Sequence, residues 1–172
     1  PRFGDPDYSS GYYGTMFDWG GWQAGDTFLR QGCAIAEEAI RGRESGTLYD
    51  TSPKKDRLIL QTFIHEVGHA WNLPHSWQRS AAPSSASTSF MNYPWGFTGG
   101  GGGENAFWSN FAWTFDDVEL RWMRHADRAD VIFGGRDWIG NNLSRFLDPA
   151  ANASGVPVRV VLAGPSMVDA AE

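Results

Sequence analysis

Three of the chain's four histidines fall within one short stretch, His65-Glu66-Val67-Gly68-His69-Ala70-Trp71-Asn72-Leu73-Pro74-His75, and no other feature restricts the fold so tightly. On an α-helix, residues four apart share a face with Cβ atoms about 5–6 Å apart, so His65 and His69 can reach one ion together. His75 cannot join them from the same helix, because six residues on is the wrong side of the axis. The chain must therefore leave the helix between His69 and His75. Asn72 tolerates the left-handed conformation that ends a helix, and Pro74 disfavours helical geometry at Leu73, which sets the exit there. Three imidazoles then supply neutral nitrogen ligands for one zinc ion at about 2.0–2.1 Å, with a fourth position left for water. Glu66 stands beside the first ligand but off the ligand face, so it can reach that water and take its proton.

The residues before the motif predict a helix leading into it. Ser52 reads as an N-cap and Pro53 as the first helical residue. Leu60, Phe63, Ile64, Val67, Ala70 and Trp71 recur at three- and four-residue spacing. That pattern predicts one apolar core face with the histidines lying off it.

Together these residues resemble the metzincin clan of zinc peptidases, whose signature is His-Glu-x-x-His-x-x-Gly-x-x-His followed by a Met-turn. His65, Glu66, His69 and His75 match it, and Asn72 stands where the clan usually has Gly. Downstream, Ser89-Phe90-Met91-Asn92-Tyr93-Pro94 looks like the Met-turn, with Met91 sixteen residues after His75. The tyrosine two places after the methionine is similar to that of the astacin and serralysin branches. The resemblance covers about residues 52–95. It implies that Met91 is a hydrophobic floor under the zinc and that Tyr93 is either a switch ligand or an oxyanion donor. It also implies that Pro94 and Trp95 belong to the wall of a pocket for the substrate residue after the scissile bond, with an apolar preference. The implied activity is that of a zinc-dependent endopeptidase acting on a peptide or protein substrate, with Glu66 as general base and then acid. A secreted or extracellular setting is favoured by the resemblance alone. Two other readings are open. One is a catalytically silent metzincin-like binding or adhesion module of a larger multidomain protein, against which the intact Glu66 argues. The other keeps the metal centre but acts on a non-peptide amide.

The fold the resemblance implies is α+β: a metzincin-like zincin with a small mixed β-sheet, an active-site helix, a Met-turn and a C-terminal helix. Residues 1–133 form the catalytic domain, with an upper part over about 1–72 and a lower part over about 73–133. Residues 134–172 read as a connector and the start of a following β-module, with a strand at 156–162. Residues 12–17 and 31–36 read as short strands on either side of a Gly-rich turn region, and either can be the edge that pairs with substrate. Residues 37–41 allow a short helix. Sixty-four residues before His65 are few for a full upper sheet, so part of it is expected to be missing from this chain.

In the lower part, residues 80–89 are rich in Ser, Ala and Thr and read as an irregular loop. The five consecutive glycines at 99–103 read as a mobile surface loop. They are no phosphate cradle, because no Lys-Ser/Thr follows them. Phe107, Phe111, Trp113 and Phe115 alternate, which predicts a strand or aperiodic packing in the core, with an aromatic platform for sugars or peptides as the alternative. A helix is expected from about 117 through Asp127, capped by Thr114 or Asp116. His125 lies among charged residues and reads as solvated.

Composition sets outer limits. The 172 residues, 41% of them hydrophobic, suffice for one sizeable core. A net charge of −6 and a pI near 5.1 argue against nucleic acid or anionic membrane as the principal partner, since both are bound through clustered Lys and Arg. No apolar run approaches the roughly 18 residues of a membrane span. Cys33 is the single cysteine, so no internal disulfide can form, and it reads as a small buried residue. The first residue is Pro rather than Met, which suggests a processed chain or part of a larger one. Asn142 and Asn152 each open a glycosylation acceptor pattern.

Overall fold

A computed structural model describes residues 13–17, 19–20, 27–42, 48–79, 84–141 and 143–146. Among these residues the chain is mixed α and β, with two antiparallel strand pairs and five helices. Tyr12, residues 80–83, the acceptor asparagines Asn142 and Asn152, and the strand expected at 156–162 lie outside the described residues.

The two runs expected as strands are each other's partners. Strand β1 (Gly14–Met16) lies antiparallel to β4 (Cys33–Ile35), with Gly14 opposite Ile35 and Met16 opposite Cys33. Between them in sequence, β2 (Trp19–Gly20) pairs antiparallel with β3 (Thr27–Phe28). All pairing among the described residues is thus antiparallel, where a mixed sheet was expected. A parallel pair needs a long crossover, whereas these segments are joined by short connections that favour hairpin-like pairing. Cys33 is half-buried in β4. Helix α1 (Glu37–Arg41) follows directly and seats Ile40 in a small core with Tyr49 and Leu58.

Helix α2 (Ser52–Ala70) is the longest element and carries the first two histidines. Its start differs by one residue from expectation: Thr51 is the extended N-cap, Ser52 is already helical, and Pro53 sits in the first turn, where its missing N–H has no helical partner to lose. Its orientation differs more. The inward face is Leu58, Gln61, Thr62, His65, Glu66, Gly68, His69 and Ala70. Leu60 and Phe63, expected in the core, are 46% and 48% exposed. The histidines therefore lie on the buried face and not off it.

Beyond the histidines the chain builds two further cores. Phe90, Phe97, Phe107 and Phe111 form one, and Leu73, Met91, Trp122, Ile139 and Phe146 form the other. Where a strand or aperiodic packing was expected over 107–115, helix α3 (Gly103–Asn110) forms, followed by irregular chain in which Trp113 is left-handed at φ +54°. Phe107 and Phe111 are four apart as well as on alternate positions, and the four-residue spacing is the one that packs. The glycines leading into α3, expected as a surface loop, form a hydrogen-bonded turn. Gly100, Gly101, Gly102 and Gly103 have φ of +57°, +94°, +82° and +79°, conformations that side chains resist. The turn is closed by the Gly102 N–H on the Gly99 carbonyl and the Gly103 N–H on the Phe97 carbonyl, both at 2.8 Å.

Helix α4 (Asp117–His125) is capped by Asp116, whose carboxylate accepts from the N–H groups of Val118 and Glu119 while Glu119 accepts from the Asp116 N–H. It ends at the exposed His125, and Asp127 caps the short helix α5 (Arg128–Val131) instead. Packing continues past residue 133 into the stretch read as a connector. Ile139 and Phe146 belong to the same core as Leu73 and Met91.

Candidate metal centre

The last turns of α2 place His65 and His69 inward with ring centroids 4.6 Å apart. The helix then closes in a Schellman pattern. The Leu73 N–H reaches back to the Gly68 carbonyl at 3.0 Å and the Asn72 N–H to the His69 carbonyl at 2.8 Å. Asn72 is left-handed at φ +66°. The reversal returns His75 to the helix, with its Nε2 3.2 Å from Nε2 of His69. A potential ligand atom from each of the three histidines lies within 4.8 Å of the others, so the three can hold one metal ion.

Hydrogen bonding fixes which nitrogens face each other. His65 Nδ1 donates to the Phe90 carbonyl at 2.7 Å, and His69 Nδ1 to the Leu73 carbonyl at 2.8 Å. His75 Nδ1 is 2.7 Å from Gln78 Oε1. That oxygen also receives the His75 backbone N–H, so it is the acceptor and Nδ1 the donor. All three protons therefore sit on Nδ1, and each neutral ring presents a bare lone pair at Nε2. Two lone pairs facing each other at 3.2 Å repel unless a cation lies between them. His65 Nε2 is buried with no partner among the described residues. Burial, reinforced by the neighbouring imidazoles, lowers His65 to a pKa of about 3 and holds His69 well below the usual value, while burial lowers His75 to about 4. The rings are thus neutral at physiological pH, as ligation requires. Carbonyl oxygens on the far nitrogens are the outer partners that orient ligating histidines.

Glu66 is 7% exposed and lies beneath β1. Gly14 makes the room, since a Cβ there would stand 2.5 Å from Glu66 Cγ and 2.8 Å from Oε1. Burial raises the carboxyl to a pKa of about 7. Met91 is fully buried and its thioether fills the notch at Gly68, where a Cβ would overlap it. The Met91 carbonyl accepts from the Ser76 N–H at 3.0 Å, tying this turn to the residue after His75.

Tyr93 stacks on His65 at 5.2 Å and 29° and lies 4.7 Å from His75, centroid to centroid. Pro94 is buried at the start of a 3-10 turn, and Trp95, 50% exposed, stacks on Tyr93 at 4.5 Å and 19°. Tyr13 approaches Trp95 edge-on at 6.3 Å. His65, His69, His75 and Tyr93 are therefore in one neighbourhood, with Trp95 stacked on Tyr93, whereas the Glu66 carboxylate is seen against β1.

Several participants have no sequence signal, or only a faint one. Trp77 stacks on His75 at 4.3 Å and 14°, and Gln78 orients the same ring. Gln61 donates to the Phe90 and Asn92 carbonyls, so the chain around Met91 is held from the helix as well. Trp138 lies edge-on to His69. Behind the site, buried Arg79 pairs with Asp116 at 2.8 Å and with Glu119 at 3.4 Å, and Ser89 donates to Glu119. Burial and the charge of Asp116 raise Glu119 to a pKa of about 7. Proximity to His75 hints at Trp77 and Gln78; nothing local hints at Trp138 or Glu119.

No protein-family model matches the chain, and neither a curated protein nor a solved structure is significantly similar to it.

Proposed function

We propose that the chain is a zinc-dependent endopeptidase of metzincin-like construction, with α2 as the active-site helix, the turn at Met91 as the Met-turn and α4 as the C-terminal helix. The observation that carries this reading is the convergence of three lone-pair Nε2 atoms whose Nδ1 atoms are all bound by carbonyl acceptors. Three imidazoles without a thiolate suit zinc and leave it an open coordination position. When bound, zinc supplies Lewis acidity, polarising a carbonyl and lowering the pKa of water to about 7.

The remaining work falls to side chains. Glu66, with a pKa near 7, takes a proton from the attacking water and returns it to the leaving amine. Tyr93, whose ring lies against His65 and His75, is the group we assign to donate to the oxyanion that develops on the carbonyl oxygen. Trp95 stacked on Tyr93 offers an apolar wall to a substrate side chain.

Metal analysis combined with cleavage of a mixed peptide library tests the reading. Glu66→Ala keeps stoichiometric zinc and loses about 10²–10⁴-fold in hydrolysis. His69→Ala loses the metal and the hydrolysis together. Full zinc with undiminished cleavage in the Glu66 variant refutes the mechanism.

A further inference from the structure

The exit of α2 is also where the later part of the described chain is fastened. Asn72 is fully buried, and its amide is used from both ends. Nδ2 donates to the carbonyls of Asp130 at 3.0 Å and Asp137 at 3.3 Å, while Oδ1 accepts from the Ile139 N–H at 2.7 Å. Arg30, equally buried, donates from Nη1 to Ala70, the last helical carbonyl, at 2.8 Å. Its other nitrogens donate to the carbonyls of Ile132 at 3.1 Å and Arg136 at 2.9 Å. Segment 130–139 is thus held across the end of α2 through its own backbone.

That attachment positions one side chain against the histidines. Trp138 lies between two groups held by Asn72, and its ring meets His69 edge-on at 5.2 Å and 86°. Gly140 lets the indole fold back, because a Cβ there would overlap Trp138 Nε1. A glycine at position 72 would make the same left-handed turn but leave three backbone groups of the segment without this partner. Asparagine supplies the turn and the clamp at one position.

We propose that Asn72 is a positioning residue for the metal: its side chain fastens segment 130–139 to the helix exit and so keeps Trp138 against His69, holding that imidazole in its ligating orientation. The inference rests on the zinc reading above. The Leu73 carbonyl is the hydrogen-bonded outer partner of His69, of the kind that accounts for about 10- to 100-fold in metal affinity, and Trp138 restrains the same ring by packing, expected at the lower end of that range.

The test compares wild type with Asn72→Gly, Trp138→Ala and Trp138→Phe. Zinc affinity is measured by competition with a chromophoric chelator, and amide exchange at 132–141 is followed in the metal-free chain. Asn72→Gly is expected to speed exchange of the Ile139 amide at least tenfold and to weaken zinc about 10-fold. Trp138→Ala weakens zinc comparably without freeing the Ile139 amide, and Trp138→Phe recovers most of the loss. Faster exchange with zinc affinity unchanged makes Asn72 merely structural and overturns the inference. Should Asn72→Gly fail to fold, equal affinities in the two Trp138 variants and wild type overturn it. A wild-type chain that takes up no zinc overturns the zinc reading and the inference together, whereas zinc uptake indifferent to these substitutions overturns the inference alone.

Discussion

The two long faces of α2 break the usual rule of burial in opposite directions. Turned inward are Gln61 and His65, each 3% exposed, and Glu66 and His69, each 7% exposed. Turned outward are Leu60 and Phe63, at 46% and 48%. The inward polar groups are supported by specific partners: the Phe90 carbonyl serves both Gln61 and His65, and the Leu73 carbonyl serves His69. A buried polar group with its hydrogen bond made costs little, and one without costs about 1–3 kcal/mol. Glu66 is the exception, with no hydrogen bond among the described residues, and its raised pKa expresses that cost. The face a helix buries is thus decided by what meets it. Here β1, β4 and the chain around Met91 meet the side that carries chemistry.

Crowding the inward face should have the largest effect. Gly14→Ala places a methyl where the Glu66 carboxyl now lies. A shift of about 1 Å in a reacting group costs on the order of 10²-fold, so kcat/KM for a cleaved peptide is expected to fall about 100-fold with zinc content unchanged. Undiminished turnover would show that Glu66 does not need this space. Stability contrasts the same two faces more modestly. Leu58→Ala, in the core with Ile40 and Tyr49, is expected to cost about 2–5 kcal/mol in urea denaturation. Leu60→Ala, two positions away, should change stability by less than about 0.5 kcal/mol. Equal losses would mean that something covers the outward face in solution.

What was legible in the sequence was what depends on local spacing. The i, i+4 pair, the left-handed exit at Asn72 and the cap at Asp116 each need only a few neighbouring residues to define them. The strand runs were legible for the same reason, though their antiparallel pairing was not, since it depends on how the intervening chain turns. The orientation of α2 was misread because hydropathy counts apolar residues and takes no account of carbonyls contributed from residues 73 and 90. Helix α3 was misread because Phe107 and Phe111 satisfy both a two- and a four-residue period. Trp138, Arg30 and Glu119 could not be found by spacing, being brought to the site by contacts tens of residues apart in sequence.

Protonation separates the faces most finely, because His65, Glu66 and His69 all lie on the inward one. In the metal-free chain burial keeps the three imidazoles neutral well below their ordinary value of 6.5, His65 to about 3 and His75 to about 4. The unfolded chain protonates all three below about pH 6.5. Their contribution to stability is therefore present above that pH and lost as pH falls towards 4. Glu66 and Glu119 oppose them: raised to about 7, they hold protons in the folded chain that the unfolded chain releases above about 4.5. Around the middle of the interval from about pH 4.5 to 6.5 the unfolded state thus binds close to three protons on the histidines and the folded state close to two on the glutamates, a difference of about one in favour of the unfolded state that shrinks towards pH 6.5. Stability must then rise with pH across that window. The urea midpoint of the chelated chain is expected to be higher at about pH 6.5 than at about pH 5. Leu60→Ala should leave that difference intact, whereas His69→Ala removes one proton from the balance and should flatten it. A midpoint that falls over this interval would mean that the two carboxyls outweigh the imidazoles.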